Sequence, residues 1–190
     1  MSDRKQNALE GLLEGLPAPA QHRPVGDWQP ALSGVIDIRI DASGHWFHDG
    51  DPIKRPALVK LFASILRREA DGFYLVTPGE KQRIQVDDAP LFVNQLRHEG
   101  EGQQQRLVLI TRTDDVVALD ADHPLWVVDS ETAPAPYVRV RDQLDARIGR
   151  NVFYQLVELA VSHTVAGVER FGVWSDGGFF PLDGGAEWSS

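Results

Sequence analysis

Cysteine is absent from this sequence, and methionine occurs once. Without thiols there is no disulfide framework, no thiolate metal site, no iron–sulfur cluster and no thiol nucleophile. Long apolar runs are missing too. No stretch approaches the roughly 18 consecutive apolar residues that a membrane-spanning helix needs. The opening MSDRKQNALEG has basic residues with no apolar run behind them, unlike a secretory leader. These absences point to a cytoplasmic protein. Basic residues are also in short supply, with 19 Lys and Arg against 28 Asp and Glu and a formal net charge of -9. Such a surface repels nucleic acid at long range. Neither nucleic acid nor membrane is expected as a partner.

The chemical motifs of common enzymes are missing as well. There is no G-x-x-x-x-G-K-[ST] loop, no G-x-G-x-x-G after a strand and no G-x-S-x-G elbow. No catalytic residue, metal ligand set or cofactor is assigned from motifs. The nearest to a metal site is His48-Asp49-Gly50-Asp51, an oxygen-rich turn with an imidazole at its rim. A hard cation suits such a turn, but it needs further ligands, with His98 and His123 as candidates. The alternative to a binding role is therefore a metal-assisted enzyme using the His48/Asp49/Asp51 turn. The acidic pairs Asp87-Asp88 and Asp114-Asp115 read as solvated turns.

What the 190 residues do contain is alternation and turn chemistry. Apolar residues make up 42 % and charged residues 25 %, enough for a packed core. Residues 1–33 read as a tail with one short helix, spaced by Leu9, Leu12, Leu13 and Leu16, and then broken by prolines. Period-2 patterning marks about ten short strands, separated by Gly, Asp and Pro turns at hairpin spacing. The Leu107–Ile110 run reads as a strand buried on both sides. Two helices are expected. One opens at Pro56 with a stripe of Leu58, Val59, Phe62, Ile65 and Leu66, and closes on Arg67, Arg68 and Glu69. The other runs from Asn151 to Thr164 with Phe153, Leu156, Val157, Ala160 and Val161 inward. The C-terminal segments Phe171–Trp174 and Phe179-Phe180 form a hairpin whose aromatics suit dimerisation or ligand contact. The fold class is α+β, mostly antiparallel β. The segments are a tail over 1–33, a strand/helix subdomain over 34–98, a second over 99–182, and a flexible end over 183–190. The strand-and-helix layout is loosely repeated between the two halves, without a fixed sequence period.

Several ordered blocks then stand out. They are Gly44–Gly50, Pro52-Ile53, Arg55-Pro56 and Leu58–Phe62, followed by Asp71–Pro78, Glu80 and Asp87–Pro90. His123–Leu125, Pro136–Val138, Arg141 and Asn151–Tyr154 complete them. Across residues 34–165 the sequence resembles the bacterial family of domain of unknown function 1285. The resemblance implies two pleckstrin-homology-like curved-sheet subdomains, each with one packed helix, and a part in signalling or ligand binding. It carries over no catalytic residues. It also implies a ligand groove of Trp46, His48, Asp49, Arg55, Tyr74, Thr77 and Glu80. The other reading of these residues is architectural, with Thr77–Gly79 a tight turn and Arg55 paired with Asp49 or Asp51. A homodimer that binds a small polar ligand or a peptide is expected.

Overall fold

The fold is known from a computed structural model that describes residues 23–129 and 134–184. By contact density the chain divides into two units, one ending at Asp87 and one continuing from Asp88, with Ala42–Gly44 grouped with the second. The short leucine helix expected near the N-terminus, and the last residues of the chain, lie outside the described residues.

The first unit is a six-stranded sheet in the order β3-β2-β1-β6-β5-β4. Its strands are β1 (Leu32–Ile40), β2 (Trp46–His48), β3 (Asp51–Pro52), β4 (Leu66–Glu69), β5 (Gly72–Val76) and β6 (Lys81–Val86). Two three-stranded meanders meet where β1 runs parallel to β6; every other pair in the sheet is antiparallel. The helix α1 (Pro56–Ser64) joins the meanders. Proline at its first position needs no amide partner there and presets φ for the helix. Phe62 is fully buried and stacks on Trp46, with ring centroids 6.1 Å apart. Ile38, Ile40, Ile65, Leu66 and Leu75 complete this core. Burying each such side chain contributes about 1.5–3 kcal/mol.

α1 is shorter than the apolar spacing predicts. Leu66–Glu69 is not a last helical turn but the strand β4, paired with β5 through Leu66↔Leu75 and Arg67↔Tyr74. The Ser64 hydroxyl donates back to Leu61 O at 2.7 Å and Ile65 caps the helix. Arg67 therefore serves no helix end. Its Nη1 donates to the carbonyls of Val25 (3.1 Å) and Trp28 (2.7 Å), while Arg23 Nε donates to Ser64 Oγ at 3.2 Å. Residues 23–28, read as tail, are thus docked on the first unit, with Val25 buried.

The second unit repeats the plan. Its sheet runs β10-β11-β12-β7-β8-β9. The strands are β7 (Leu91–Glu99), β8 (Arg106–Thr111), β9 (Val116–Ala118), β10 (Leu125–Val128), β11 (Ala135–Arg141) and β12 (Leu144–Ile148). Again two antiparallel meanders are joined by one central parallel pair, here β7 with β12. β7, read from the sequence as part of the first subdomain, pairs only within this second sheet. The helix α2 (Arg150–Glu158) follows the second meander instead of separating the two. That is the strand-then-helix layout legible in the sequence.

α2 is also truncated, and its face is rotated from the expected stripe. Val152 and Leu156 are buried, whereas Val157 is exposed. Val161–Val165 is a strand, β13, which forms a three-stranded antiparallel sheet with β14 (Val168–Ser175) and β15 (Gly178–Pro181). Two-residue loops close four of the hairpins: Asp49-Gly50, Asp142-Gln143, Ala166-Gly167 and Asp176-Gly177. All eight of these residues have positive φ. That is the geometry whose twist matches flanking strands and which favours Asp and Gly.

Candidate functional site

The residues expected to form a ligand groove in the first unit fall into separate places. Trp46 belongs to the core, 3 % exposed beneath Phe62. His48, on β2, sits opposite Ile38 and Asp51. Asp49 occupies the following turn, and Arg55 is the exposed residue ahead of α1, with no side-chain cap bond. Tyr74 is buried on β5, and its hydroxyl donates to Asp71 at 2.8 Å. That bond raises the Tyr74 phenol above its ordinary value, with burial adding to the effect, and lowers the Asp71 carboxyl. Thr77 N donates to Glu80 O at 2.8 Å, and Glu80 N donates to Thr77 Oγ1 at 3.0 Å. Thr77 and Glu80 thus close the tight β5–β6 turn. Two strands, β1 and β6, lie between β2 and β5. The sheet therefore holds His48 apart from Tyr74, Thr77 and Glu80.

Ionisable groups are mostly committed to structural pairs. Lys81 Nζ donates to both oxygens of Glu69, which also accepts from Arg67. The Lys81 bond, and then those to Arg67, hold the Glu69 carboxyl below its usual range against the opposing effect of burial. Among the described residues, no three of His, Asp and Glu gather in a group fit for a metal ion. The His48/Asp49/Asp51 turn does not make one.

A different surface brings chemistry together, on the outward face of the second unit's large sheet. Cross-strand register sets Trp126 beside Tyr137, Tyr137 beside Arg147, and Arg147 beside Phe92. The next residues along the strands, Leu125, Val138, Ala146 and Leu91, make the buried row on the opposite face. The outward row alternates rings and cations. Trp126 stacks on Tyr137 at 5.9 Å, and the Arg147 guanidinium lies 5.1 Å from the Tyr137 ring centre. Arg112 lies 4.6 Å from that of Phe92. Such contacts contribute about 0.5–1 kcal/mol each at partly exposed sites. Asp88 ties the row down, accepting from the Tyr137 hydroxyl at 2.7 Å and from Arg147 Nη1 at 3.1 Å. Burial, together with the bond to Asp88, raises the Tyr137 phenol above its ordinary value.

Where β12 gives way to α2, this face opens into a groove of about 410 Å³. Phe92, Pro134, Pro136, Phe153 and Tyr154 supply apolar walls, and Arg147 and Arg150 supply charge. The Phe92 ring is fixed in place. A Cβ at Gly149 would lie 3.0 Å from its Cε1, so glycine at that position lets the ring seat.

Comparison with known proteins places this architecture. Residues 23–89 match the model for the N-terminal domain of unknown function DUF1285, and residues 90–182 match that for the C-terminal domain of the same family. A DUF1285 family protein from Silicibacter pomeroyi DSS-3 is 42 % identical, with 92 % of this chain and 93 % of that one covered and a TM-score of 0.82. The chain belongs to the DUF1285 family. A second DUF1285 structure, from Shewanella baltica OS155, is 27 % identical over 64 % of this chain and 90 % of that one, with a TM-score of 0.51. No curated protein matches the chain. The two curved, largely antiparallel sheets, each with one packed helix, are the pleckstrin-homology-like subdomains that the resemblance implied. The join between the DUF1285 domain models falls beside the division into compact units at Asp87.

The groove residues are not marked as a site in the sequence, although Pro136, Phe153 and Tyr154 lie in the blocks that carry the resemblance. One signal was available. Tyr137 and Arg147 alternate with buried Val138 and Ala146, so an aromatic and a cation occupy the outward positions of adjacent strands.

Proposed function

We propose that this DUF1285 chain is a cytoplasmic, non-catalytic binding module of bacterial signalling or regulation. It takes a small polar ligand or peptide and works as a homodimer. The observation that supports binding is the groove of the second unit, with three aromatic residues, two prolines and two arginines converging on one opening. The direct test incubates the full chain with a bacterial metabolite mixture, separates protein from solution by dialysis, and measures both compartments by mass spectrometry. A metabolite retained by the protein and recovered unchanged is the expected result. A metabolite converted catalytically, or none retained, would defeat the reading.

The surface proposed for pairing two copies is the outward face of the small C-terminal sheet. Val161, Val165 and Val168 are exposed there. They share that face with His163, Trp174 and Phe179, which form a ring cluster with centroids 4.7–5.2 Å apart. β13 is an edge strand of its sheet among the described residues, with a free side to offer a second copy. Of the aromatic hairpin expected from the sequence, Trp174 and Phe179 lie on this face, while Phe171 and Phe180 lie on the opposite one. Placing Val161→Lys and Val165→Lys together on the edge strand should turn a dimer into a monomer in light scattering, with the melting temperature of each unit retained. A wild-type monomer at all concentrations would remove the dimer from the proposal.

A further inference from the structure

We propose that the groove between the end of β12 and the start of α2 is a site for a small aromatic carboxylate. The inference rests on reading the chain as a binding module, and goes further by naming the ligand's charge and shape. The charge follows from the lining. Arg147 and Arg150 both reach the groove, and no carboxylate is among its described lining residues; because Asp88, 3.1 Å from Arg147 Nη1, balances that guanidinium from behind, the preference for an anion rests on Arg150. That polarity runs against the chain as a whole, whose formal net charge is -9. Arg150, exposed at the groove, is the charge an incoming anion would meet there. Arginine in place of lysine favours a planar oxyanion, because the guanidinium fork matches a carboxylate with two parallel N–H···O bonds.

The ring follows from the walls. Phe92, Phe153 and Tyr154, with Pro134 and Pro136, give flat or rigid apolar surfaces that lose little side-chain entropy on contact. Phe92 is already positioned, seated against Gly149 and faced by Arg112. Arg147 is positioned too, by Asp88 and by the Tyr137 hydroxyl 2.9 Å from its Nη1. Two groups of the site thus stand in place before a ligand arrives, which lowers the ordering cost of binding. A volume of about 410 Å³ suits one or two fused rings with a short acidic arm, and is small for a folded peptide segment. Arg150 is exposed at the first position of α2 and remains adjustable, so it suits the role of the group that closes on the carboxylate.

The test uses the full chain and three probes: 2-naphthoate, its uncharged analogue 2-naphthamide, and phenyl phosphate. Binding is followed by calorimetry and by amide chemical shifts over Arg147–Tyr154. The expected result is that naphthoate binds, with shifts confined to that segment and Phe92, while naphthamide binds at least about tenfold more weakly. Arg150→Gln should weaken naphthoate about tenfold, the loss of one charged hydrogen-bonding group. Phe153→Ala should weaken naphthoate and naphthamide alike. Equal binding of naphthoate and naphthamide, or no effect of Arg150→Gln, would overturn the anion assignment and leave the binding-module reading intact. Tighter binding of phenyl phosphate would overturn the carboxylate in favour of a phosphate. If no probe binds, the inference fails, and the metabolite-retention experiment decides separately whether the module reading fails with it.

Discussion

Replacing Asp115 with alanine is expected to destabilise the second unit by about 3–5 kcal/mol, the usual cost of removing one partner of a buried ion pair. Asp115 is 6 % exposed. Its Oδ1 accepts from Arg141 Nε at 3.0 Å. Its Oδ2 accepts from the hydroxyls of Thr111 and Thr113 at 2.9 and 2.8 Å, and its own amide donates to Thr111 Oγ1 at 3.0 Å. One carboxylate thus closes the β8–β9 turn and holds Nε of Arg141, whose side chain is 13 % exposed and whose Nη1 lies 4.0 Å from Asp142. Alanine would leave the guanidinium buried without this partner and, since the Thr111 and Thr113 hydroxyls lie 3.0 Å apart and one can donate to the other, one hydroxyl without its acceptor; desolvated donors are costly to leave unmade.

The contrast with an exposed pair gives the measurement its control. Arg106 and Asp176 lie 3.5 Å apart with side chains 56 % and 43 % exposed. Arg106→Ala should therefore cost less than about 1 kcal/mol. Urea unfolding of both variants compares the two costs. A double variant, Asp115→Leu with Arg141→Met, should recover much of the loss, because no charge is then left stranded. If Asp115→Ala costs no more than Arg106→Ala, water reaches the pair and the argument from burial fails.

In sequence, Asp114-Asp115 reads as a solvated acidic turn. Asp114 fits that picture, exposed and at φ 67°. Asp115 does not, because its partner Arg141 comes from a distant strand, and no local pattern announces such a pairing. The same limit explains what was and was not legible elsewhere. Strand alternation, Pro56 and the Asp-Gly loops are local signals, and the hairpins that rest on them appear where the residues placed them. The helix ends were overrun for a definite reason. Ile65 and Leu66 keep the helical apolar spacing, yet Ile65 is buried as the cap of α1 and Leu66 as the first residue of β4, opposite Leu75. Tertiary pairing overrode a continuing pattern. After Glu158 the β-branched residues Val161, Thr164 and Val165 favour strand over helix at their χ1 angles, and β13 forms there. The groove was harder still. Phe92 meets Arg147 only because β7 and β12 pair in parallel. Parallel register between segments so far apart in the chain leaves no mark in either segment alone.

Gly172→Ala is expected to have the second large effect, because no room exists for one methyl group. A Cβ built at Gly172 would stand 2.3 Å from the carbonyl oxygen of Phe180 and 2.8 Å from both the Phe179 ring and Pro181 Cα. Two of these three neighbours are backbone, on a strand paired with β14 through Gly172↔Pro181 and Val173↔Phe180. Phe180 cannot retreat easily, since its side chain is buried beside fully buried Val173. The added methyl must therefore part β14 from β15. Overpacking of this kind costs about 1–3 kcal/mol, and more where backbone has to move. Gly79→Ala is the matching control, with nothing within 4 Å of the added carbon, and should stay within about 0.5 kcal/mol of wild type. A second readout separates local from global damage. Phe179 pushed off Gly172 also leaves its contacts with His163 and Trp174, 5.0 and 5.2 Å between ring centres. The near-ultraviolet circular dichroism of the aromatic cluster should then change even at temperatures where the large sheets stay folded. If that face joins two copies, self-association should weaken in the same variant. A Gly172→Ala protein with the melting temperature and aromatic signal of wild type would show that β15 can move away from β14 at little cost, and would withdraw the packed face on which the dimer proposal depends.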